Sequence, residues 1–422
     1  MSVPVLLAVT GAPWEADVVR RAEQAPNLRV VRRCVDMADV LAAAASGQAR
    51  AVLIAEDLPR LNADAVAMLH GRRIAVVALV DPQADAGESS GEDRLTRIGI
   101  ERILPADVSP EDLARAVSDA VDSGPPATTT HFAGGFVPVV AGAEPVPQQT
   151  DGLSGTGRLL AVWGPTGAPG RTTVAIGLAS ELSAIGVSTL LADADVYGGT
   201  VAQQLGMLDE TSGLAAAARS AGSGSLDVPV LARQARQLNQ HLLVLTGLSR
   251  ADRWTELRPT AVESVWSTAR SLAPCTVVDT GFAIESDEEI SFDTMAPRRN
   301  GATLATLEEA DEVVVVGSAD PVGLTRLIRA IHELRAAVPA VTTRVVVNRL
   351  RSGPLGPTPS ESVTSALGQY AGVQPAALLP FDQAACDSML TQGGTLAETA
   401  RTSKLRKAMH QLAATVVADL LK

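Results

Sequence analysis

The sequence predicts two doubly wound α/β domains, each built on a parallel sheet. Three observations predict this. Short apolar runs alternate with helical stretches over residues 1–122. The same alternation returns over 157–422. The stretch between, 123–156, holds five Pro, six Gly and no Lys or Arg, the composition of a linker. Strand–helix alternation implies parallel strands whose crossover helices cover both faces of the sheet. A chain of 422 residues is long enough for two or three such cores.

In the first region, Val5 to Val9, Leu28 to Val31, Ala51 to Ala55, Ile74 to Val80 and Arg102 to Leu104 read as five strands. Helical patterns fall between them, at Trp14 to Gln24, Asp36 to Ala45 and Pro110 to Val121. Inside the linker, Phe136 to Val140 is apolar and reads either as loosely packed linker or as a docking segment. In the second region, Leu159 to Trp163 is a buried strand, and Thr172 to Ile185 has helical spacing with few breakers. Further strands are Ser188 to Asp193, Cys275 to Asp279, Glu312 to Val316 and Thr343 to Asn348. In such a sheet a ligand sits at the carboxyl ends of the strands.

Composition removes several function classes. Lys and Arg number 35 against 47 Asp and Glu, a net charge of −12 with pI about 5.0, so no specific nucleic-acid partner is expected. Cys34, Cys275 and Cys386 are scattered, which suits a reducing cytoplasm and offers no metal centre. Met1 to Ala8 lacks the basic start of a signal peptide, and no apolar run is long enough to span a bilayer.

The chemistry gathers at Thr166-Gly167-Ala168-Pro169-Gly170-Arg171-Thr172-Thr173, between the strand Leu159 to Trp163 and the helix that follows. Strand, Gly-rich turn and helix N-terminus form a phosphate-binding loop, because stacked backbone N–H groups and the helix dipole hold an anion. The residue before the Thr pair is ordinarily a Lys that reaches the β- and γ-phosphates. Here it is Arg171, in a chain whose only lysines are Lys404, Lys407 and Lys422. All but three of the 35 basic residues are Arg, so drift toward Arg accounts for the replacement. Its consequence is weakened nucleotide binding, since a planar guanidinium does not replace a compact ammonium in a tight loop.

The loop, Asp193-Ala194-Asp195, Asp279 after its strand, and Asn348 at a strand end occur in an order that resembles the MinD/ParA branch of P-loop ATPases. The resemblance implies ATP and Mg²⁺ as cofactors. It implies that Gly167, Ala168, Pro169, Gly170, Arg171, Thr172 and Thr173 hold the phosphates and that Asn348 contacts adenine. Thr172, Asp193 and Asp279 would form the metal site, Asp279 acting through water as a Walker B carboxylate. Asp195 would orient the attacking water, with Arg171 as the second catalytic group. The family's first loop lysine, which crosses a dimer interface, falls on Thr166. With both lysines replaced, hydrolysis is expected to be weak or absent. Arg250, Arg253, Arg298 and Arg299 are candidates to restore charge, or simply surface ion pairs with nearby acids.

The first region resembles a response-regulator receiver, a flavodoxin-like fold, over its whole length. By that resemblance the phosphoacceptor position is Ala55, the metal-binding pair falls near Thr10 and Gly11, and the fifth-strand lysine falls on Ala106. Aspartyl phosphorylation needs a carboxylate nucleophile, a carboxylate-held Mg²⁺ and a cation, so this domain is expected to keep the fold without the chemistry. Asp57, two positions beyond Ala55, reads as a solvated turn residue, with a misaligned acceptor as the alternative. A receiver-like domain without phosphorylation residues, followed by a MinD/ParA-like domain, resembles the layout of the CpaE/TadZ group and of actinobacterial septum-site-determining proteins. That resemblance implies a cytoplasmic spatial regulator at the pole, septum or inner face of the membrane. Its partners would be a second copy of the chain and a pilus secretion ATPase or division proteins. A nucleotide-independent dimeric scaffold is the rival reading, and a DNA-segregating ParA ATPase a third. Ser403 to Leu421 places Leu405, Met409, Leu412, Val416 and Leu420 on one stripe, which suits either a closing helix or transient membrane contact through 403–421.

Overall fold

The computed structural model describes residues 2–82, 91–123, 157–167, 170–207, 211–285 and 298–420. The chain divides into two compact units. Most of the linker, with Phe136 to Val140, lies outside the described residues.

The first unit carries β1 (Val3–Ala8), β2 (Leu28–Arg33), β3 (Ala51–Ala55), β4 (Ala75–Val80) and β5 (Arg102–Pro105). All neighbours pair in parallel, in the order β2-β1-β3-β4-β5, the flavodoxin-like order. Because side chains alternate along a strand, each strand feeds two cores. Leu6, Val52, Ile54 and Val76 meet the helices Met37–Ala45 and Ala63–Gly71 on one face. Val5, Leu7, Leu53 and Val77 meet Glu15–Gln24 and Pro110–Ser123 on the other.

The second unit carries β6 (Arg158–Trp163), β7 (Thr189–Ala194), β8 (Arg236–Asn239), β9 (Leu242–Leu245), β10 (Cys275–Thr280), β11 (Glu312–Ser318), β12 (Thr343–Leu350) and β13 (Ala377–Pro380). Their order is β13-β12-β11-β6-β10-β7-β9-β8, parallel except for the edge strand β8, which runs antiparallel to β9. The sequence reading omitted β8, β9 and β13. Each is four residues long, too short for periodicity to separate from a loop. The strand β6 lies at the centre, and the loop after it feeds the helix Arg171–Ala184, nearly all of which is buried.

The helix Lys404–Leu420 lies on Arg171–Ala184. Leu405, Met409, Leu412, Ala413 and Val416 are buried in the same core as Val174, Leu178 and Leu182. Gly177 leaves room for Met409, whose side chain comes within 3.2 Å of where a Cβ would stand. The apolar stripe offered to a membrane in the sequence reading is therefore spent inside the protein, apart from Leu420, whose side chain lies outside the described residues. Polar contacts fix the same helix. The buried Glu181 accepts from Arg406 Nε at 2.8 Å and pairs with His410 Nδ1 at 2.9 Å, and Arg344 Nη2 reaches Asp419 Oδ2 at 2.8 Å.

Candidate functional site: the loop after the central strand

Four strand ends supply the site. After β6 come Gly164, Pro165, Thr166 and Gly167, then Gly170 and the helix Arg171–Ala184; Ala168 and Pro169, named above as phosphate ligands, lie outside the described residues. Gly170 caps the helix with φ +95°, a left-handed conformation that only glycine adopts without strain. A Cβ there would also overlap Asn348 Nδ2. Asn348, at the end of β12, thus packs against the loop while its Oδ1 accepts the Arg349 N–H at 2.8 Å. The structure brings Asn348 to the loop.

Asp193 and Asp279 are register partners on the parallel neighbours β7 and β10, and both are buried. Burial raises both acids, and the proximity of like charges adds to it. Asp193 is pushed up to about 7, against the opposing N–H bonds from Val201 and Asp195. Asp279 lies well above the ordinary carboxylate range, through burial and then the Asp193 charge, against the Thr172 hydroxyl. Thr172 Oγ1 donates to Asp279 Oδ2 at 2.6 Å.

Asp193 is enclosed by two glycines. A Cβ on Gly199 would stand 2.5 Å from its Oδ1, and one on Gly247 2.6 Å from its Cγ. Its oxygens accept from the Asp195 N–H at 3.2 Å and the Val201 N–H at 3.1 Å. In this geometry Asp193 anchors the loop after β7.

Asp195 Oδ1 accepts from the Tyr197 N–H at 2.9 Å and the Gly198 N–H at 3.2 Å. Its Oδ2 faces Arg171 Nη2 at 3.4 Å. Arg171 Nη1 turns back toward the carbonyls of Gly164 and Pro165, at 3.3 and 3.4 Å. The guanidinium also sits 5.9 Å from the Phe282 ring centroid. Phe282 stacks on Tyr197 at 4.9 Å, and Arg299 lies over Tyr197 at 4.3 Å. This column of two arginines and two aromatics was not legible in the sequence, because its members lie far apart in the chain.

Two of the arginines considered as replacement charges are engaged elsewhere. Arg250 pairs with Asp252 and Arg253 with Glu256. The sequence reading missed Arg326 on the helix Pro321–Ala337, which reaches Thr166 O at 3.5 Å. Asp320-Pro321 announces that helix start, but the reach to the loop is tertiary and carries no sequence signal.

Among the described residues, two buried polar atoms at the site lack a hydrogen-bond partner, Arg171 Nε and Asp279 Oδ1. One is a donor suited to an anion and the other an acceptor suited to a cation or its water. Among the described residues no cluster of three His, Cys, Asp or Glu side chains is arranged to hold a metal. A Mg²⁺ at this position would rest on Thr172 and Asp279, completing its shell with water and phosphate oxygens, as Mg²⁺ sites commonly do. These residues fit a nucleotide with its metal.

Comparison with known family profiles and with curated proteins gives no match. Among solved structures, the chain is similar to a ParA family ATPase from Chlorobium tepidum TLS, at 18% identity and TM-score 0.51, over 61% of this chain and 98% of that one. It is similar to the cell division ATPase MinD of Pyrococcus furiosus, at 21% identity and TM-score 0.49, over 62% and 99%. A third is the septum site-determining protein MinD of Pyrococcus horikoshii OT3 complexed with Mg-ADP, at 17% identity and TM-score 0.49, over 63% and 98%. The matched share of this chain is larger than the five-stranded unit can supply. The likeness to the Chlorobium protein shows that this chain contains the α/β fold of a ParA family ATPase.

Proposed function

We propose that this protein is a spatial regulator that positions pilus-assembly machinery of the Flp/Tad type or cell-division machinery, through a degenerate nucleotide site with weak or absent hydrolysis. One observation carries the reading. Inside a ParA-type fold, Arg171 holds Asp195 Oδ2 at 3.4 Å. The carboxylate that would orient water is engaged by the arginine that stands where a phosphate-binding lysine is expected. Nucleotide must draw Arg171 away from both Asp195 and its carbonyl contacts, which weakens binding. Until then Asp195 is not free to act on water.

ATP with Mg²⁺ is the proposed ligand, held by Gly167, Ala168, Pro169, Gly170, Arg171, Thr172 and Thr173. Thr172 and Asp279 take the metal, and Asn348 is the proposed contact to adenine. The proposed partners are a second copy of the chain and either a pilus secretion ATPase or division proteins. The first unit, at residues 1–122, serves as a docking module without phosphorylation, and the linker 123–156 tethers it to the ATPase-like domain 157–422. The proposed location is cytoplasmic, at a pole or septum. No helix among the described residues is long and apolar enough to cross a membrane. The same Arg171 contacts favour one rival, a dimeric scaffold that binds no nucleotide, because the guanidinium is largely satisfied by its own chain.

The experiment is a fluorescent fusion to the full chain in live cells, with and without pilus genes. A discrete focus at a pole or septum is expected. Uniform fluorescence in both backgrounds contradicts the positioning role.

A further inference from the structure

A phosphate cradle needs positive charge as well as backbone N–H groups. No lysine occurs before residue 404, and Arg171 is held by Asp195 and two carbonyls. A second guanidinium stands at the loop among the described residues. Arg326 projects from the second turn of the helix Pro321–Ala337, and its Nη1 lies 3.5 Å from Thr166 O, a contact at the weak limit of a hydrogen bond. It lies so close over Gly167 that a Cβ there would overlap it. Gly167 has φ +67°, so glycine serves both the loop conformation and the approach of the guanidinium.

Arg326 forms no salt bridge with a carboxylate among the described residues. Asp320 lies within its electrostatic reach. The Asp320 oxygens, however, are taken by the Ser318 hydroxyl at 2.6 Å and the Gly323 N–H at 2.9 Å. Other arginines of this unit, Arg219, Arg250, Arg253, Arg270, Arg344 and Arg406, each pair with an acid. An exposed arginine with most of its donors uncommitted, at the mouth of a loop whose buried atoms await an anion and a cation, has the chemistry of a phosphate ligand. The fork of a guanidinium suits two oxygens of one phosphoryl group.

We infer that Arg326 is a phosphate-binding residue of this site, contacting the polyphosphate of a nucleoside triphosphate at the Thr166–Gly167 end of the loop. This assignment rests on the nucleotide reading above and adds a residue that no loop motif contains. It also divides the labour. Arg171 closes the buried end of the site against Asp195, and Arg326 provides charge at the exposed end.

Calorimetric titration of ATP·Mg²⁺ and ADP·Mg²⁺ into the full chain tests it, comparing wild type with Arg326→Ala, Arg326→Lys and Arg329→Ala. Arg329 is exposed one turn away on the same helix and serves as the charge control. Arg326→Ala is expected to weaken ATP·Mg²⁺ binding roughly tenfold, the size of one charge-assisted hydrogen bond. Arg326→Lys should recover part of the loss, and Arg329→Ala should bind as wild type does. Equal weakening by Arg326→Ala and Arg329→Ala reduces the effect to general charge and overturns the assignment. Unchanged binding by Arg326→Ala, with nucleotide bound by wild type, overturns it while leaving the nucleotide reading standing. Absence of binding by wild type overturns both.

Discussion

Arg171 Nη2 stands 3.4 Å from Asp195 Oδ2, with both side chains largely buried at the mouth of the helix that follows the central strand. The pair joins the loop after β6 to the loop after β7. It leaves Asp195 with every oxygen engaged, two backbone N–H groups on one and the guanidinium on the other. In a lysine-bearing loop the corresponding ammonium is a compact charge on a flexible stem. Here a planar fork reaches the carboxylate and the carbonyls of Gly164 and Pro165 together. The site neutralises itself before any ligand arrives.

The loop geometry depends on Gly170 and Asn348 as a pair. Gly170→Ala is expected to destabilise by about 1–2 kcal/mol from the left-handed backbone alone, and further through overlap with Asn348 Nδ2. Asn348→Ala removes the overlap and leaves the backbone strain. Urea unfolding of the two single variants and the double variant should give a favourable coupling of about 1 kcal/mol. Strict additivity would show that the two residues do not meet.

The C-terminal helix is held by an asymmetric charge cluster. Glu181 is buried, whereas Arg406 and His410 are partly exposed. Losing a cation therefore costs more than its own contact, because the carboxylate is left buried with one partner. Arg406→Ala is expected to lower the unfolding free energy by about 2–3 kcal/mol, and Arg401→Ala, an exposed neighbour, to change it by less than about 0.5 kcal/mol. Equal effects would remove the cluster from the account.

The buried acids set a pH dependence. In the metal-free protein Asp193 holds its proton up to about 7, and Asp279 also stays protonated above the ordinary range. Carboxyls in the unfolded chain release theirs at about pH 4. Through this window the native state binds more protons than the unfolded state, so these two groups make stability fall as pH rises. Asp279→Asn removes one ionisation and its repulsion of Asp193. Its urea midpoint should gain on that of wild type between about pH 4 and 7, and a gap constant with pH contradicts the assignment.

At the carboxyl ends of the first sheet, Thr10 donates to Cys34 O at 3.1 Å, and Ala55 and Ala106 are buried. None of the three is a carboxylate or a lysine. Acetyl phosphate is expected to leave every peptide of residues 1–122 at its unmodified mass when the full chain is treated and mapped. Phosphorylation at Asp57 would contradict the expected absence of aspartyl phosphorylation.

The sequence revealed what local physics encodes. Ala51–Ala55 is a run of apolar residues bounded by turn signals, and its ends agree with the observed strand. The helix read as Thr172 to Ile185 runs Arg171–Ala184, a difference of one residue at each end. Asp193, Asp279 and Thr172 were grouped through the resemblance to the MinD/ParA order, the two acids near the ends of strong strands and Thr172 in the first turn of the helix after the loop. What escaped is set by tertiary contact. Leu242–Leu245 is a four-residue apolar strand whose neighbour, Arg236–Asn239, is mostly polar. Arg326 belongs to the loop because its helix folds beside Gly167. The stripe on Lys404–Leu420 had the periodicity of a buried and of a membrane-facing helix alike, and only the packing against Val174 and Leu178 distinguishes them.

The central claim is that Arg171 restrains the site. Calorimetric titration of ATP·Mg²⁺ into wild type and Arg171→Lys measures it most directly. Weak binding by wild type and several-fold tighter binding by Arg171→Lys are expected, because a lysine ammonium cannot span Asp195 and the two carbonyls at once. Tight binding by wild type that weakens in Arg171→Lys would show that the guanidinium strengthens nucleotide binding and does not restrain it.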